Sequence, residues 1–291
     1  MSATAAAVEA QAKVNLRLCV LAREASGYHQ LESLFLRIEL ADSVRVATDT
    51  THRELHCPGV DLPQEQNLAF RAAVAYSEAA RWPTGFRIDI EKRIPAGGGL
   101  GGGSADAGAV LRALNALAPQ PLSAAALNTV ALQLGADVPF LAMDAPYALG
   151  FGRGERLLAL PPLPAREILL ALPDFGVETK AAFAWYADSV AGAPLRAPTP
   201  LTLDDLDRWE RLVPLAVNEL EDVVVARHPD IGRCVDALRG AGAKIARMSG
   251  SGSTAFGVFD RRLVQEPALP AGTRLVHTRS ATSVAPVKLL D

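Results

Sequence analysis

Cysteine is scarce in this chain and basic charge is not in excess, and both shortages narrow what it can be. Cys19, Cys57 and Cys234 are odd in number, far apart and without C-x-x-C spacing. That argues against a disulfide framework and a zinc centre, and leaves them as small packing residues. Lys and Arg total 29 against 32 Asp and Glu, a formal net charge of −3. No global field attracts nucleic acid, so recognition of phosphate must be local, and a small anionic substrate fits better than a polymer. Long apolar runs are missing too: none reaches the roughly 18 residues of a spanning helix. Residues 1–12 lack the basic start and long apolar stretch of a signal peptide. The expectation is a cytoplasmic protein with no membrane partner. No internal repeat or low-complexity tail is present.

With 49% hydrophobic and 21% charged residues, the composition is that of a soluble globular protein. Its 291 residues exceed the size, about 250, beyond which single cores rarely grow. Two lobes are expected. The proline cluster Pro161, Pro162 and Pro164 places their boundary so that residues 1–160 and 161–291 separate.

What the chain has in abundance, in one place, is glycine. Residues 95–107 read Pro-Ala-Gly-Gly-Gly-Leu-Gly-Gly-Gly-Ser-Ala-Asp-Ala, with Leu100 alone interrupting Gly97, Gly98, Gly99, Gly101, Gly102 and Gly103. Upstream, Phe86, Ile88 and Ile90 alternate with Arg87, Asp89 and Glu91, the period of a half-buried strand. Downstream, Ser104 is a good N-cap for a helix carrying Ala107, Val110, Leu111, Leu114 and Leu117. A flexible linker would sit in polar surroundings, whereas this run joins two strongly patterned elements. Bare amides ending at a helix N-terminus suit phosphate oxygens, so the expectation is a nucleotide phosphate site. No lysine follows Gly103, which excludes a Walker A loop. Gly97, Gly99 and Gly102 match G-x-G-x-x-G trivially, and Ala124 to Ala126 stand where a ribose-binding acid belongs, so a Rossmann site is the weaker alternative.

Around this loop the chain offers several polar residues with two readings each. Residues 12–20 alternate as a strand, with Lys13 and Asn15 on one side, either as a solvated face or as site residues. Tyr28 and His29 end a turn, as surface residues or as ligand contacts. Residues 34–40 and 43–47 read as two strands broken at Ala41-Asp42, beginning an antiparallel sheet. Asn67 caps a helix to residue 80, and Ser123 caps another to residue 134, stopped by Gly135. Asp137, just before Val138-Pro139, is equally an N-cap or a catalytic carboxylate. Further on, a strand at 168–172, a helix at 179–186 bearing Phe183, a mostly helical stretch at 201–225, a helix at 231–238 and a strand at 255–259 are expected. Ser249-Gly250-Ser251-Gly252 reads as a hairpin or linker, or as a second glycine loop facing the same cleft.

The string Pro95-x-x-x-Gly99-Leu100-Gly101-Gly102-Gly103-Ser104-Ala105 resembles the phosphate-binding loop of the galactokinase, homoserine, mevalonate and phosphomevalonate (GHMP) kinase superfamily. Ala12-Lys13-Val14-Asn15-Leu16, Ser26-Gly27-Tyr28-His29, Gly135-Ala136-Asp137-Val138-Pro139 and Ser249 to Gly252 fall in the order of its motifs, over nearly the full chain. The Gly-Tyr-His and Gly-Ala-Asp-Val-Pro segments narrow the resemblance to the branch that phosphorylates the cytidine diphosphate conjugate of methylerythritol.

The resemblance implies an α+β, two-lobed GHMP kinase fold with the site in the cleft between lobes, residues 1–160 forming the ATP-binding domain. It implies ATP-dependent, Mg²⁺-assisted transfer to the 2-hydroxyl of that conjugate, in non-mevalonate isoprenoid precursor synthesis. Asp137 would be the general base and Lys13 its cationic neighbour. Asn67 and Lys92 would contact the adenosine portion of ATP, and Pro95 through Ser104 its phosphates. Asn15, Tyr28, His29, Thr179 and Phe183 would recognise the cytidine end, Phe183 by stacking. One departure concerns the metal: many relatives carry Ser-Ser where this chain has Gly102-Gly103, so no loop side chain is available there. Magnesium ligation is left to ATP oxygens, water or an unassigned residue. The competing readings are another superfamily kinase acting on a mevalonate-like or homoserine-like alcohol, and a nucleotide-binding module without catalysis.

Overall fold

The computed structural model describes residues 3–23, 29–152, 154, 156–191 and 200–290, with Arg23 and His29 described by backbone alone. The chain opens with two long strands, β1 (Ala5–Arg23) and β2 (His29–Ala47), followed by β3 (Arg53–His56), α1 (Leu68–Ala80) and β4 (Phe86–Glu91). Three helices come next, α2 (Gly102–Leu117), α3 (Ala124–Leu132) and α4 (Val138–Ala142), then β5 (Tyr147–Gly152) and β6 (Arg156–Ala159). The remainder holds β7 (Glu167–Leu172), α5 (Thr179–Ser189), α6 (Trp209–Leu212), β8 (Val217–Asn218), α7 (Glu221–Val225) and α8 (Pro229–Gly240). It ends with β9 (Ile245–Met248), β10 (Ala255–Phe259), β11 (Arg274–Arg279) and β12 (Lys288–Leu290).

Two sheets result. The first runs β12–β1–β2–β4–β3, with β8 joined to β1 and β5 joined to β2 and carrying β6. The second runs β11–β7–β10–β9. Helix α2 lies against β1 and β2 and packs on α1 and α4, so the helix that follows the glycine loop forms the centre of the first layer. Its small residues permit this: a Cβ on Gly108 would come within 2.4 Å of the Leu141 carbonyl oxygen on α4. Helix α8 covers β9 and β10. The chain thus has the expected mixed helix-and-sheet composition. Strands β8 and β12, far along the sequence, return to pair with β1.

Two sequence expectations need correction, and one left open is resolved. Residues 12–20 form a strand, and of the two readings of its polar side the solvated one does not hold: Lys13 and Asn15 are 3% and 2% exposed, and Arg17 and Cys19 are also buried. The two glycine loops cover that face: a Cβ on Gly101 would lie 3.1 Å from Lys13 Cε, and one on Gly250 3.3 Å from Lys13 Nζ and 3.5 Å from Asn15 Oδ1. The register shifts between Asn15 and Arg17, a bulge that swaps the faces beyond it. Val14 and Leu16 therefore enter the large core, while Leu18 joins Val177 and Leu220 in a separate cluster. Second, Ala41-Asp42 does not break β2. Asp42 is fully buried, and its carboxylate accepts from the Ile94 amide at 2.7 Å, a partner 52 residues away that local sequence does not reveal. Third, residues 201–225 are not one helix. Pro214 interrupts the run, and 217–218 become β8 because β1 offers them a parallel edge.

Candidate active site

A cavity of about 600 Å³ opens where the glycine loop, β1, the start of α4 and the segments before α5 and β10 converge. The loop enters helix α2 earlier than expected. Gly101, in the left-handed region at φ +71°, is the N-cap, and Ser104 lies inside the first turn rather than before it. At Gly102 a Cβ would lie 3.0 Å from Ile94 Cγ2, so the absence of a side chain lets the helix begin there against Ile94. The first-turn amides of Gly102, Gly103 and Ser104 therefore have no partner one turn back, and all three residues line the cavity.

The loop is braced from behind. Lys13 N donates to Leu100 O at 3.0 Å, Thr254 N to Gly98 O at 3.2 Å, and Ser249 Oγ to Gly99 O at 3.0 Å. At Gly99, φ is +75° and a Cβ would lie 2.1 Å from the Ser249 carbonyl oxygen, so only glycine fits. The second small-residue segment is the loop of the β9–β10 hairpin, closed where Ser249 N donates to Thr254 O at 2.9 Å, and it also packs backbone to backbone on the first. Asn218 holds it in place, donating through Nδ2 to Met248 O at 2.8 Å and Gly250 O at 2.7 Å.

On the cavity floor, Lys13 Nζ lies 3.3 Å from Asp137 Oδ2 and donates to Asn15 Oδ1 at 2.7 Å. Asp137 occupies the N-cap position of α4, but its side chain makes no capping hydrogen bond there. It stays 30% exposed toward the cavity while Lys13 is enclosed. The carboxylate is thereby presented to the cavity with a cation at its back, placed to accept a proton.

Toward the other end, the Asn67 carbonyl oxygen of the side chain caps α1, accepting from Ala69 N at 2.9 Å, and Asn67 also lines the cavity. Lys92 is held between two carboxylates, bonding Asp42 Oδ2 and, at 2.6 Å, Asp106 Oδ2. Burial pushes the Asp106 carboxyl up to about 7, Lys92 opposing and Asp42 adding to the shift. Burial alone would lower the lysine, but Asp106 and Asp42 outweigh it and raise its pKa. Sequence reading missed both carboxylates. Asp106 had a signal, a lone acid in the run Ala105-Asp106-Ala107-Gly108-Ala109-Val110; Asp42 had none.

Pro95, the glycines, Leu100, Asn15, Thr179 and Phe183 line this same cavity, the last two from α5, together with Leu18 and Val177. Thr179 Oγ1 and Ser251 Oγ share a hydrogen bond at 2.9 Å. Tyr28 and the side chain of His29 lie outside the described residues. Among the described residues, no three metal-ligating side chains cluster. A cation here would be carried by phosphate oxygens with few protein ligands, the usual manner of Mg²⁺, and Ser104 and Asp137 are oxygen donors on the cavity wall.

Residues 67–148 match the GHMP kinases N terminal domain, and residues 201–268 match GHMP kinases C terminal. A 4-diphosphocytidyl-2-C-methyl-D-erythritol kinase of Paracoccus denitrificans is 38% identical over 287 residues, covering 96% of this chain and 97% of the relative. The enzyme of that name from Moorella thermoacetica is 39% identical over 253 residues, covering 86% and 88%. A crystal structure of 4-(cytidine 5'-diphospho)-2C-methyl-D-erythritol kinase superposes with a TM-score of 0.74 at 36% identity, covering 94% of this chain and 98% of that one. Homoserine kinase from Cytophaga hutchinsonii shares the fold alone, with a TM-score of 0.67 at 16% identity and coverage of 99% and 98%. With the glycine loop, the braced second loop and the Lys13–Asp137 pair in one cleft, the chain belongs to the 4-diphosphocytidyl-2-C-methyl-D-erythritol kinase family of the GHMP kinases.

Proposed function

We propose that the protein transfers the γ-phosphoryl group of ATP to the 2-hydroxyl of 4-diphosphocytidyl-2-C-methyl-D-erythritol, a step of non-mevalonate isoprenoid precursor synthesis. The observation that carries the reaction is the 3.3 Å approach of Lys13 Nζ to Asp137 Oδ2 on the floor of a cavity rimmed by the glycine loop. Asp137 accepts the hydroxyl proton as the alcohol oxygen bonds to the γ-phosphorus and the bridging bond to ADP breaks. Lys13 pairs with Asp137 and stabilises charge on the transferring group. The amides of Gly102, Gly103 and Ser104 hold the phosphates at the positive end of α2. Mg²⁺ bound with ATP would neutralise phosphoryl oxygens, with Ser104 and Asp137 as the side chains able to touch it.

ATP lies with its adenosine toward Asn67 and Lys92. The cytidine end lies toward Asn15, Tyr28, His29, Thr179 and Phe183, with Phe183 stacked on the base. Among the described residues no helix is long and apolar enough to cross a membrane, in keeping with a cytoplasmic enzyme on a small-molecule substrate.

The test is ADP release with Mg·ATP and, in parallel, the cytidine diphosphate conjugate, mevalonate and homoserine. Turnover with the conjugate alone, yielding its 2-phosphate, is expected. Turnover with another alcohol would reject the substrate, and ATP binding without any turnover would reject the enzyme reading.

A further inference from the structure

Lys13 reaches Asp137 at the end of a chain of hydrogen bonds whose polarity can be worked out atom by atom. Ser33, on β2, has one hydroxyl proton, and its Oγ lies 3.0 Å from the Arg17 carbonyl oxygen, which only accepts. That proton is therefore committed to Arg17. Toward Asn15, 2.7 Å away, Ser33 can only accept, so the group facing it must be Nδ2. The amide is thereby turned with Oδ1 toward Lys13 Nζ, at 2.7 Å. From the other end the constraint agrees, because an ammonium has donors and no acceptor. All three side chains are buried, leaving little water to satisfy a wrongly turned amide.

We propose that Ser33 is a positioning residue for phosphoryl transfer: it fixes the orientation of the Asn15 amide and so holds the Lys13 ammonium against Asp137. Without the Ser33 acceptor Nδ2 is left buried with no partner, and the Lys13 bond alone holds the amide. The amide then swings toward another acceptor and draws Nζ out of line with Asp137. The inference rests on the kinase reading above and adds to it a residue that no sequence motif singled out.

The test is kinetic and structural. Ser33→Ala should lower kcat at least about tenfold with the ATP KM changed less than about twofold, since misplacing a reacting-centre group acts on the chemical step. Ser33→Thr, which keeps Oγ on a residue suited to strands, should recover to within about threefold of wild type. The discriminating arm is Asn15→Asp. A carboxylate has two equivalent acceptor oxygens and no orientation to lose, so adding Ser33→Ala in that background should cost no more than about twofold further.

An equal loss from Ser33→Ala in both backgrounds, an equal loss in Ser33→Thr, or a rise in the alcohol KM at unchanged kcat would overturn the proposal. The first two point to a packing role and the third to direct substrate contact. The assay uses whichever alcohol the wild type phosphorylates, so a wrong substrate assignment leaves the test intact. A crystal structure of Ser33→Ala needs no turnover: separation of Lys13 Nζ and Asp137 Oδ2 beyond about 4 Å is expected, and an unchanged pair overturns the proposal.

Discussion

Asp106 accepts a hydrogen bond from Lys92 at 2.6 Å, yet its other carboxylate oxygen is buried with no partner among the described residues. One oxygen is therefore compensated and the other is not, which is why burial prevails and the group titrates at about 7. In the unfolded chain an aspartate loses its proton near 4. Between those values the folded protein holds a proton that the unfolded chain has released, so this group's contribution to stability falls as pH rises from about 4 to about 7.

Asp106→Asn removes that titration while keeping the shape. The melting temperature of the variant, taken relative to wild type at each pH, is expected to shift in the variant's favour from pH 5 to pH 8. Thermal melts across this range check it, and a difference that stays constant with pH would reject it.

Asp137→Asn keeps the start of α4, since the carboxylate makes no cap bond there. Loss of a general base costs about 10² to 10⁴ in rate. Turnover should fall by at least about 100-fold, with ATP affinity within about threefold by calorimetry. Comparable loss of ATP binding would make Asp137 structural.

Gly99 and Gly103 lie four residues apart in one loop and should behave differently. Alanine at 99 combines φ +75° with a contact 2.1 Å from the Ser249 carbonyl oxygen, so Gly99→Ala should lower the melting temperature and weaken ATP at least about tenfold. At Gly103 the nearest atom to a new Cβ is Leu68 Cδ1 at 3.6 Å, and the residue is already helical. Gly103→Ala should melt at or slightly above the wild type. Melts of both variants, with nucleotide titration of the first, decide the matter.

Phe183 lines the cavity from α5. Stacking of a base on an aromatic ring contributes about 1 to 3 kcal/mol. Phe183→Ala should raise the KM of the cytidine substrate between about 5-fold and 150-fold and leave that of ATP within about twofold. Parallel weakening of both substrates would place the ring elsewhere.

Much of this site was legible before folding. The glycine run between a strand and a helix, the Asn67 cap and the order of short motifs are features of neighbouring residues, and neighbours are what a sequence displays. The reading failed where a residue's partner comes from afar. Local propensity makes Ser104 the cap, but Gly101 takes the left-handed cap conformation and Gly102, seated against Ile94, starts the helix. Asn218 looked like part of a helix until β1 gave residues 217–218 an edge to pair with.

The sequence by itself determined the chemistry available: bare amides for phosphate, one lysine and one aspartate for proton and charge, an aromatic for a base. Tertiary structure decided which of these could act together. Covering both faces of β1 turned Lys13 from a solvated side chain into a buried ammonium 3.3 Å from Asp137. The same burial orders Ser33, Asn15 and Lys13 into a chain of fixed polarity and sets Asp106 and Asp42 around Lys92. The physical reason is desolvation: a polar group in water is satisfied anywhere, whereas one out of water is confined to the partners that packing brings to it.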